Sequence, residues 1–195
     1  MHSLLSLLKA RGHRIHFVYT ACEKVDLARM KMLMEADWDS VDVFPSGHRF
    51  EMTLGADYAL DDWINPHLRD VLPALARRYG VTHCLTNYVF QSAYLDALPE
   101  GVAKILDTHD KLSRRHLFEA LGVAPGFYHT TEAEELRGLA RADVVLSIQD
   151  NEVDYFQRAG RPVVVVGHST PNAFVEKRYT RVERLGYIGA SNKFN

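Results

Sequence analysis

Apolar runs of strand length alternate with segments of helical periodicity along most of the chain. Leucines spaced three and four positions apart near the start predict an amphipathic helix that ends at Gly12. Strands are predicted over residues 14–20, 41–44, 81–86, 102–106, 143–148 and 162–166. Continuous apolar strands joined by helices are typical of parallel sheets covered on both faces. The pattern therefore predicts an α/β fold with a doubly wound, mostly parallel, Rossmann-like sheet that has helices on both faces.

Helical segments are predicted in the intervals, over residues 25–36, 57–79, 91–98, 112–121, 131–142 and 152–158. Pro66 and Pro73 predict a break or a bend in the longest of them, and Gly80 is suited to end it. Thr131 and Glu134 have the spacing of a capping box, in which a hydroxyl and a carboxylate satisfy each other's backbone amides.

The pattern changes near the end of the chain. Residues 170–184 are polar and lack periodicity, which indicates a linker. Residues 185–195 begin with a strand-like run and a turn. We therefore predict a Rossmann-like domain over residues 1–169, a linker over 170–184 and the start of a second domain over 185–195.

Composition restricts the class of protein. The 195 residues are 47% hydrophobic and 25% charged, as in ordinary globular domains. A formal net charge of -2 offers no overall field for nucleic acid, so no nucleic-acid partner is expected. Two cysteines do not make a disulfide framework. The apolar runs are shorter than the roughly 20 residues that span a bilayer, and no signal-peptide pattern opens the chain. A cytoplasmic location is expected.

The positions after predicted strands are the first candidates for a site, because ligands bind at the carboxyl ends of strands in open parallel sheets. The densest group is residues 107–110, where Asp107 and Asp110 flank His109. An imidazole in this setting can donate to a phosphate or contact a sugar hydroxyl. The alternative is that Asp110 caps the following helix while His109 points to solvent.

A basic group follows, formed by Lys111, Arg114, Arg115 and His116 in the first turns of the helix predicted over 112–121. Cations at the amino end of a helix oppose its dipole and need another reason to be there. A phosphate ligand or an anionic membrane surface would supply one, and the latter would place the protein at the inner face of the membrane. The alternative is a solvated charged face.

Two further strand ends carry polar residues. Gln149 and Glu152 follow the strand over 143–148 and can hydrogen-bond a polar ligand, although helix capping by Asp150 or Asn151 explains part of this pattern. His168 follows the last strand, where it is expected beside an interdomain cleft or on the surface. No zinc, dinucleotide-binding, P-loop or serine-hydrolase motif occurs, so no metal and no cofactor is expected.

Four segments together resemble the acceptor domain of GT-B glycosyltransferases of the family 4-like kind. Residues 4–15 are similar to the family's first helix and the GH-x-V turn into its second strand, and residues 102–110 to the strand that ends in a D-x-H-D loop. Residues 142–152 resemble the A-D-x-V strand near the end of the domain, and residues 185–192 the F-V-G-S strand that opens the nucleotide-binding domain.

The resemblance implies two Rossmann-like domains across a cleft, the first binding the acceptor and the second the nucleotide-sugar. The implied partners are a nucleotide-sugar donor and a glycan or lipid-linked acceptor, and such enzymes need no metal. His109 matches the histidine that lies close to the donor sugar in retaining members, and His109 and Asp110 are predicted to be catalytic. The predicted substrate-binding residues are Asn87, Tyr88, Thr108, Lys111, Arg114, Gln149 and Glu152.

The resemblance also implies that the family's first strand lies upstream of residue 1 and that most of the donor domain lies beyond residue 195. Without its central strand the sheet is expected to rearrange or to form a homo-oligomer, and the chain by itself is expected to lack transferase activity. Two alternatives stay open, namely a GT-B-fold sugar-nucleotide epimerase and a non-catalytic α/β binding module.

Overall fold

The computed structural model describes residues 2–21, 26–45, 59–114 and 130–167. The strands in these ranges are β1 (His16–Ala21), β2 (Ser40–Pro45), β3 (His83–Asn87), β4 (Ala103–Asp107), β5 (Val144–Ser147) and β6 (Val163–Val165). The α-helices are α1 (His2–Ala10), α2 (Leu27–Glu35), α3 (Pro66–Tyr79), α4 (Glu132–Leu139) and α5 (Val153–Gln157). Short 3-10 helices lie over Leu60–Trp63, Val89–Ala97 and Asp150–Glu152. Strands and helices alternate, as the sequence pattern predicts.

The strands of these described ranges form two parallel sheets. β1 pairs with β2, and the other sheet has the order β3-β4-β5-β6. The fold class is therefore α/β with parallel sheets, consistent with a Rossmann-like fold. The single predicted sheet is divided, because β1 and β3 do not pair with each other across the described residues.

Helix α3 relates the two sheets to each other. At its start, Nδ2 of Asn65 donates to the carbonyl of Pro45 at the carboxyl end of β2, at 2.6 Å. At its end, the hydroxyl of Tyr79 donates to Asp42 at 3.0 Å, and the Tyr79 ring stacks on His16 with centroids 4.3 Å apart. α3 thus runs antiparallel to β1 and β2. β3 begins shortly after α3 ends, and the amide of Asn65 at the start of α3 donates to the hydroxyl of Tyr94, which follows β3, at 2.7 Å. β3 therefore runs back along α3, in the same direction as β1.

Helices lie on both faces of the smaller sheet. Phe17 packs with Leu5 of α1 on one face. Val18 and Phe44 pack on the other face, in a cluster with Leu68 of α3. The alternation of side chains along β1 separates these two clusters, as expected for a strand covered from both sides. The prediction of helices on both faces is correct for this sheet.

The larger sheet contributes to the core through one face. Leu106, Val145 and Val163 lie opposite one another in the register, and Cys84 shares their face. All four pack in one cluster with buried residues of the surrounding helices, among them Leu60, Leu139 and Phe156. The side chains that alternate to the other face, Leu85, Ile105 and Leu146, stay half-buried. Within the described ranges, the helices therefore cover this sheet from one side.

The segment predicted as one helix over residues 57–79 contains two helices. A 3-10 turn ends at Trp63, and α3 begins at Pro66, where a missing amide costs nothing. Oδ1 of Asn65 caps α3 by accepting from the amides of His67 and Leu68, at 2.9 and 3.3 Å. Pro73 lies inside α3 without ending it, and Gly80 terminates it with a φ of 62°, as predicted.

The segment after β4 differs from the prediction. Leu112 and Ser113 are not helical, and Ser113 forms an isolated parallel bridge with Thr130. The amides of Leu112 and Ser113 donate to the carboxylate of Glu135, at 2.7 and 2.8 Å. The predicted helix over 112–121 therefore does not begin at Leu112, because the carboxylate of Glu135 accepts from the two amides with which the helix was expected to start.

Thr131 caps α4 as predicted, but only half of the capping box forms. The Thr131 hydroxyl accepts from the amide of Glu134 at 3.2 Å. The Glu134 carboxylate instead accepts from the amide of Leu60 at 3.0 Å and from Arg137 at 2.7 Å. Glu134 thus joins α4 to the 3-10 helix that precedes α3.

Several predictions fall on residues outside the described ranges. These are the basic residues Arg115 and His116, the helix residues 115–121, His168, the linker over 170–184 and the second-domain start over 185–195.

Among the described helices, none is long and apolar enough to cross a bilayer.

Gly138 on α4 has no room for a side chain. A Cβ atom there would lie 2.5 Å from Leu60 Cδ1 and 2.6 Å from Val89 Cγ2. We expect Gly138→Ala to lower the free energy of unfolding by about 1–3 kcal/mol, because the core becomes overpacked. Gly138 is next to the last residue of α4, so alanine regains less there than the roughly 1 kcal/mol by which it favours a helix interior over glycine. Urea denaturation followed by circular dichroism measures it.

Ala133→Gly is the matched control, since Ala133 is exposed on the same helix. It reports helix propensity without any packing effect, with an expected loss of about 1 kcal/mol. A Gly138→Ala variant as stable as the parent protein contradicts the close packing at this position.

Candidate functional site

The carboxyl ends of β3 and β4 bring the predicted residues to one edge of the larger sheet. Asn87 ends β3 opposite Asp107, which ends β4. The next residue, Tyr88, donates its amide to the carbonyl of Asp107 at 2.8 Å. Thr108 donates both its amide and its hydroxyl to the carbonyl of Leu146 in β5, at 3.1 and 3.0 Å. The loops that leave the three strands therefore start side by side.

His109 lies between an aromatic ring and a carboxylate at this edge. Its ring stacks on Tyr88 with centroids 4.6 Å apart and an interplanar angle of 24°. Its Nε2 lies 3.3 Å from Oδ2 of Asp107, and the side chains of His109 and Asp107 are 22% and 10% exposed. The Tyr88 ring continues onto Phe90, at 5.0 Å between centroids. The imidazole is thus fixed on one side by stacking and held near a mostly buried acid.

The backbone at His109 is strained. Its φ is 58°, and the amide of Asp110 donates to the carbonyl of Thr108 at 2.7 Å, which closes a three-residue turn around His109. The positive-φ form of such a turn is the rare one. Tyr88 and Arg114 are the other described non-glycine residues with positive φ. Each such conformation costs about 1–3 kcal/mol and is typical of functional sites.

Two carboxylates, one fully buried and one partly exposed, hold the segment that follows His109; we call residues 108–113 the His109 loop. Oε1 of Glu152 accepts from the amide of Lys111 at 3.2 Å. The two oxygens of Glu135 accept from the next two amides, those of Leu112 and Ser113. Glu135 is fully buried on α4. Hydrogen bonds to a charged acceptor contribute about 1.5–3 kcal/mol each, enough to offset the strain at His109.

Tyr155 of α5 completes the contacts of Glu135. Its hydroxyl donates to Glu135 at 2.7 Å and lies 2.8 Å from the hydroxyl of Ser113. The ammonium of Lys111 lies over the Tyr155 ring, 3.8 Å from its centroid. Burial, and then the neighbouring Glu135 carboxylate, raise the pKa of Tyr155 above its usual value. This phenol is a hydrogen-bond donor that binds the loop to the helix layer.

Three buried polar atoms at this edge have no hydrogen-bond partner within the described ranges. They are Oδ1 of Asn87, Nε2 of His109 and Oε2 of Glu152. For His109 the approach of Asp107 is close enough for attraction but not aligned as a hydrogen bond. Buried polar atoms are nearly always paired, and an unpaired one costs about 1–3 kcal/mol. Their concentration at one edge indicates groups that serve a polar ligand.

The other predicted site residues differ in their surroundings. Thr108 is buried and its hydroxyl is bound to Leu146, so its role is structural. Lys111 faces Tyr155. Gln149 and Arg114 have exposed side chains. Asp110 does not precede a helix in the described segment, which removes the helix-capping alternative for it. The structure therefore brings together Asn87, Tyr88, His109 and Asp107, with Glu152 supporting the loop.

Sequence reasoning missed Glu135 and Tyr155. One signal was present, because Glu135 lies three, four and seven positions before Gly138, Leu139 and Ala142, which are all buried. An acid at a core position of an apolar stripe indicates a buried, paired carboxylate. Its partners, two backbone amides more than twenty residues earlier, cannot be found from a helical pattern.

Two hollows of the described surface lie away from this edge. One of about 360 Å³ is lined by residues 98–104 and Asp143, at the amino end of β4. The other, of about 430 Å³, is lined by residues that include Lys31, Ser40 and Tyr79. Neither contains the unpaired buried atoms or the strained backbone, so we place the candidate site at the carboxyl edge.

Comparison with known proteins does not assign a family. No protein-family model matches the chain, and no curated protein is similar enough to count as a relative. Any assignment of function therefore depends on the residues of the site.

The raised pKa of Tyr155 predicts a specific loss of stability at alkaline pH. In the unfolded chain this phenol ionises near its ordinary value of 10.0. Because the folded-state pKa is higher, the stabilisation is complete below about pH 10 and is lost as the pH rises towards the folded-state value. We therefore expect Tyr155→Phe to be less stable than the parent protein at pH 8, with a difference that shrinks between pH 10 and 11. Urea denaturation at each pH measures this, and a difference that stays constant up to pH 11 contradicts it.

Proposed function

We propose that this chain is the acceptor-side domain of a GT-B glycosyltransferase that transfers a sugar from a nucleotide-sugar to a glycan or lipid-linked acceptor. The observation that carries the proposal is His109, held between the Tyr88 ring and the Asp107 carboxylate at the carboxyl edge of a parallel sheet. This is the edge at which open parallel sheets bind ligands, and His109 is the residue that the resemblance assigns to the reacting sugar.

The chemistry of the edge fits a sugar hydroxyl. A carboxylate 3.3 Å from Nε2 favours a proton on that nitrogen, which leaves Nδ1 of His109 able to accept a hydrogen bond. The unpaired oxygens of Asn87 and Glu152 are acceptors as well. The Tyr88 ring, which stacks on both His109 and Phe90, holds the imidazole in place. Acceptors grouped around a fixed imidazole suit a polyhydroxylated ligand that donates hydrogen bonds.

One of the reasons to expect Lys111 and Arg114 to contact a phosphate does not hold in the structure. It depended on cations at the start of a helix, and residues 112–114 are not helical. The Lys111 ammonium lies over Tyr155, and both Lys111 and Arg114 are close enough to lower the pKa of Glu132, whose main partner is Arg158. We therefore place a hydroxyl-bearing ligand, and no phosphate group, next to His109.

Substitution of His109 tests the proposal in a protein that contains this domain together with its nucleotide-sugar-binding domain. We expect His109→Gln to lower kcat by about 10²–10³-fold, which corresponds to the roughly 2.7–4 kcal/mol lost with one transition-state contact. His83→Gln is the matched control, because His83 is exposed at the opposite, amino end of β3. Transfer of radiolabelled sugar to a glycan acceptor measures both. Near-normal turnover by a correctly folded His109→Gln protein contradicts the role of His109.

The products distinguish the proposal from its two alternatives. Incubation of the same two-domain protein with UDP-glucose, UDP-N-acetylglucosamine or GDP-mannose, with and without glycan acceptor, gives three separate results. Transfer that depends on the acceptor supports a glycosyltransferase. Conversion of a donor sugar to its epimer without acceptor indicates the epimerase, and binding without any turnover indicates a binding module.

A further inference from the structure

The His109 loop is fixed at both ends by groups outside it. At its start Thr108 is bound twice to the carbonyl of Leu146. From Lys111 onward, three consecutive amides are bound by Glu152 and Glu135. His109 and Asp110 are the residues between these anchors, so the backbone at His109 has little freedom to change its φ.

The strained turn and the anchors depend on each other. A non-glycine residue stays at a φ of 58° only where its surroundings impose that conformation. If His109 relaxed to a negative φ, the direction of the chain after it would change, and Leu112 and Ser113 would leave Glu135. Conversely, these two amides keep the turn closed for as long as the buried carboxylate accepts from both.

Glu135 is the strongest of these anchors. It is fully buried, whereas Glu152 is partly exposed, and it accepts from two successive loop amides at 2.7 and 2.8 Å. A third donor, the Tyr155 hydroxyl, fixes the carboxylate in place from α5. A buried carboxylate with three short hydrogen bonds has one low-energy orientation, so the loop amides have one position.

We propose that Glu135 is a positioning residue that holds His109 in its strained turn and so keeps the imidazole against Tyr88 and Asp107. It acts through the backbone of Leu112 and Ser113 and does not touch the ligand. The mechanical coupling is a property of the folded chain, and its effect on sugar transfer rests on the proposed function.

Strain at His109 can be measured by comparing glycine with alanine at that position, because both changes remove the imidazole and only glycine tolerates positive φ without cost. In the parent chain we expect His109→Gly to have a higher urea midpoint than His109→Ala. In the Glu135→Gln background, which keeps one acceptor oxygen in place of two, the advantage of glycine is expected to disappear. An equal advantage of glycine in both backgrounds, or no advantage in the parent chain, overturns the proposal.

Two further variants serve as controls for this cycle. Glu132→Gln makes the same chemical change on the same helix, where the carboxylate binds Arg158, and is expected to leave the advantage of glycine intact. Tyr155→Phe keeps both amide bonds to Glu135 and is expected to retain most of it. Loss of the advantage in Glu132→Gln would show a general destabilisation and would overturn the assignment to Glu135.

Native-state hydrogen exchange gives a measurement that does not need the Glu135 variant to fold. If the turn and the anchors open as one unit, the amides of Asp110, Leu112 and Ser113 in the unmodified chain exchange with the same opening free energy. Exchange of Leu112 and Ser113 at a rate that responds to urea differently from that of Asp110 overturns the coupling.

Turnover separates this proposal from the proposed function. In the two-domain protein, Glu135→Gln is expected to lower kcat by up to about 10²-fold with little change in KM, as for a misplaced catalytic group. If the parent protein transfers no sugar, the proposed function fails while the glycine–alanine comparison still decides the coupling. If transfer depends on His109 but kcat is unchanged in Glu135→Gln, the positioning role fails alone.

Discussion

Helix α3 packs against both parallel sheets, and the placement of the other described elements depends on it. In the described ranges no strand pairing joins the sheets, so the contacts that α3 and Asn65 make with Pro45, Asp42 and His16 set the direction of one sheet relative to the other. β3 starts where α3 ends and leads to Tyr94, which contacts the start of α3, so the strands of both sheets run in the same direction. A site assembled from several strand ends follows from that shared direction.

The buried carboxylate of Glu135 joins helix α4 to the His109 loop, so the packing of the helices affects the geometry of the site. A carboxylate inside a protein is costly unless donors satisfy it, and Glu135 meets this requirement with two loop amides and the Tyr155 hydroxyl. The loop then has one backbone conformation in which both of its amides donate to Glu135. That conformation is left-handed at His109, which explains how a histidine occupies a φ that favours glycine.

The polar groups at the carboxyl edge of the larger sheet favour a ligand with hydroxyl groups over a phosphate. The unpaired atoms of Asn87 and Glu152 are acceptors, and Asp107 adds a carboxylate beside His109. Hydroxyl groups donate to such acceptors, whereas phosphate oxygens require donors and positive charge. The Lys111 ammonium, on the same loop, lies over the Tyr155 ring. The local chemistry therefore agrees better with the hydroxyl face of a sugar than with the phosphate of a lipid carrier.

The sequence by itself determined what depends on neighbours along the chain. Apolar periodicity located most of the strands and helices, and Gly80 and Thr131 gave correct helix ends. The position of His109 after a buried strand indicated the candidate edge. Only the tertiary structure decided that the sheet is divided, that residues 112–114 are not helical, and that Glu135 is a buried anchor. The reason is that strand pairing and the Glu135 hydrogen bonds join residues far apart in the chain, and a helical or strand period carries no information about such contacts.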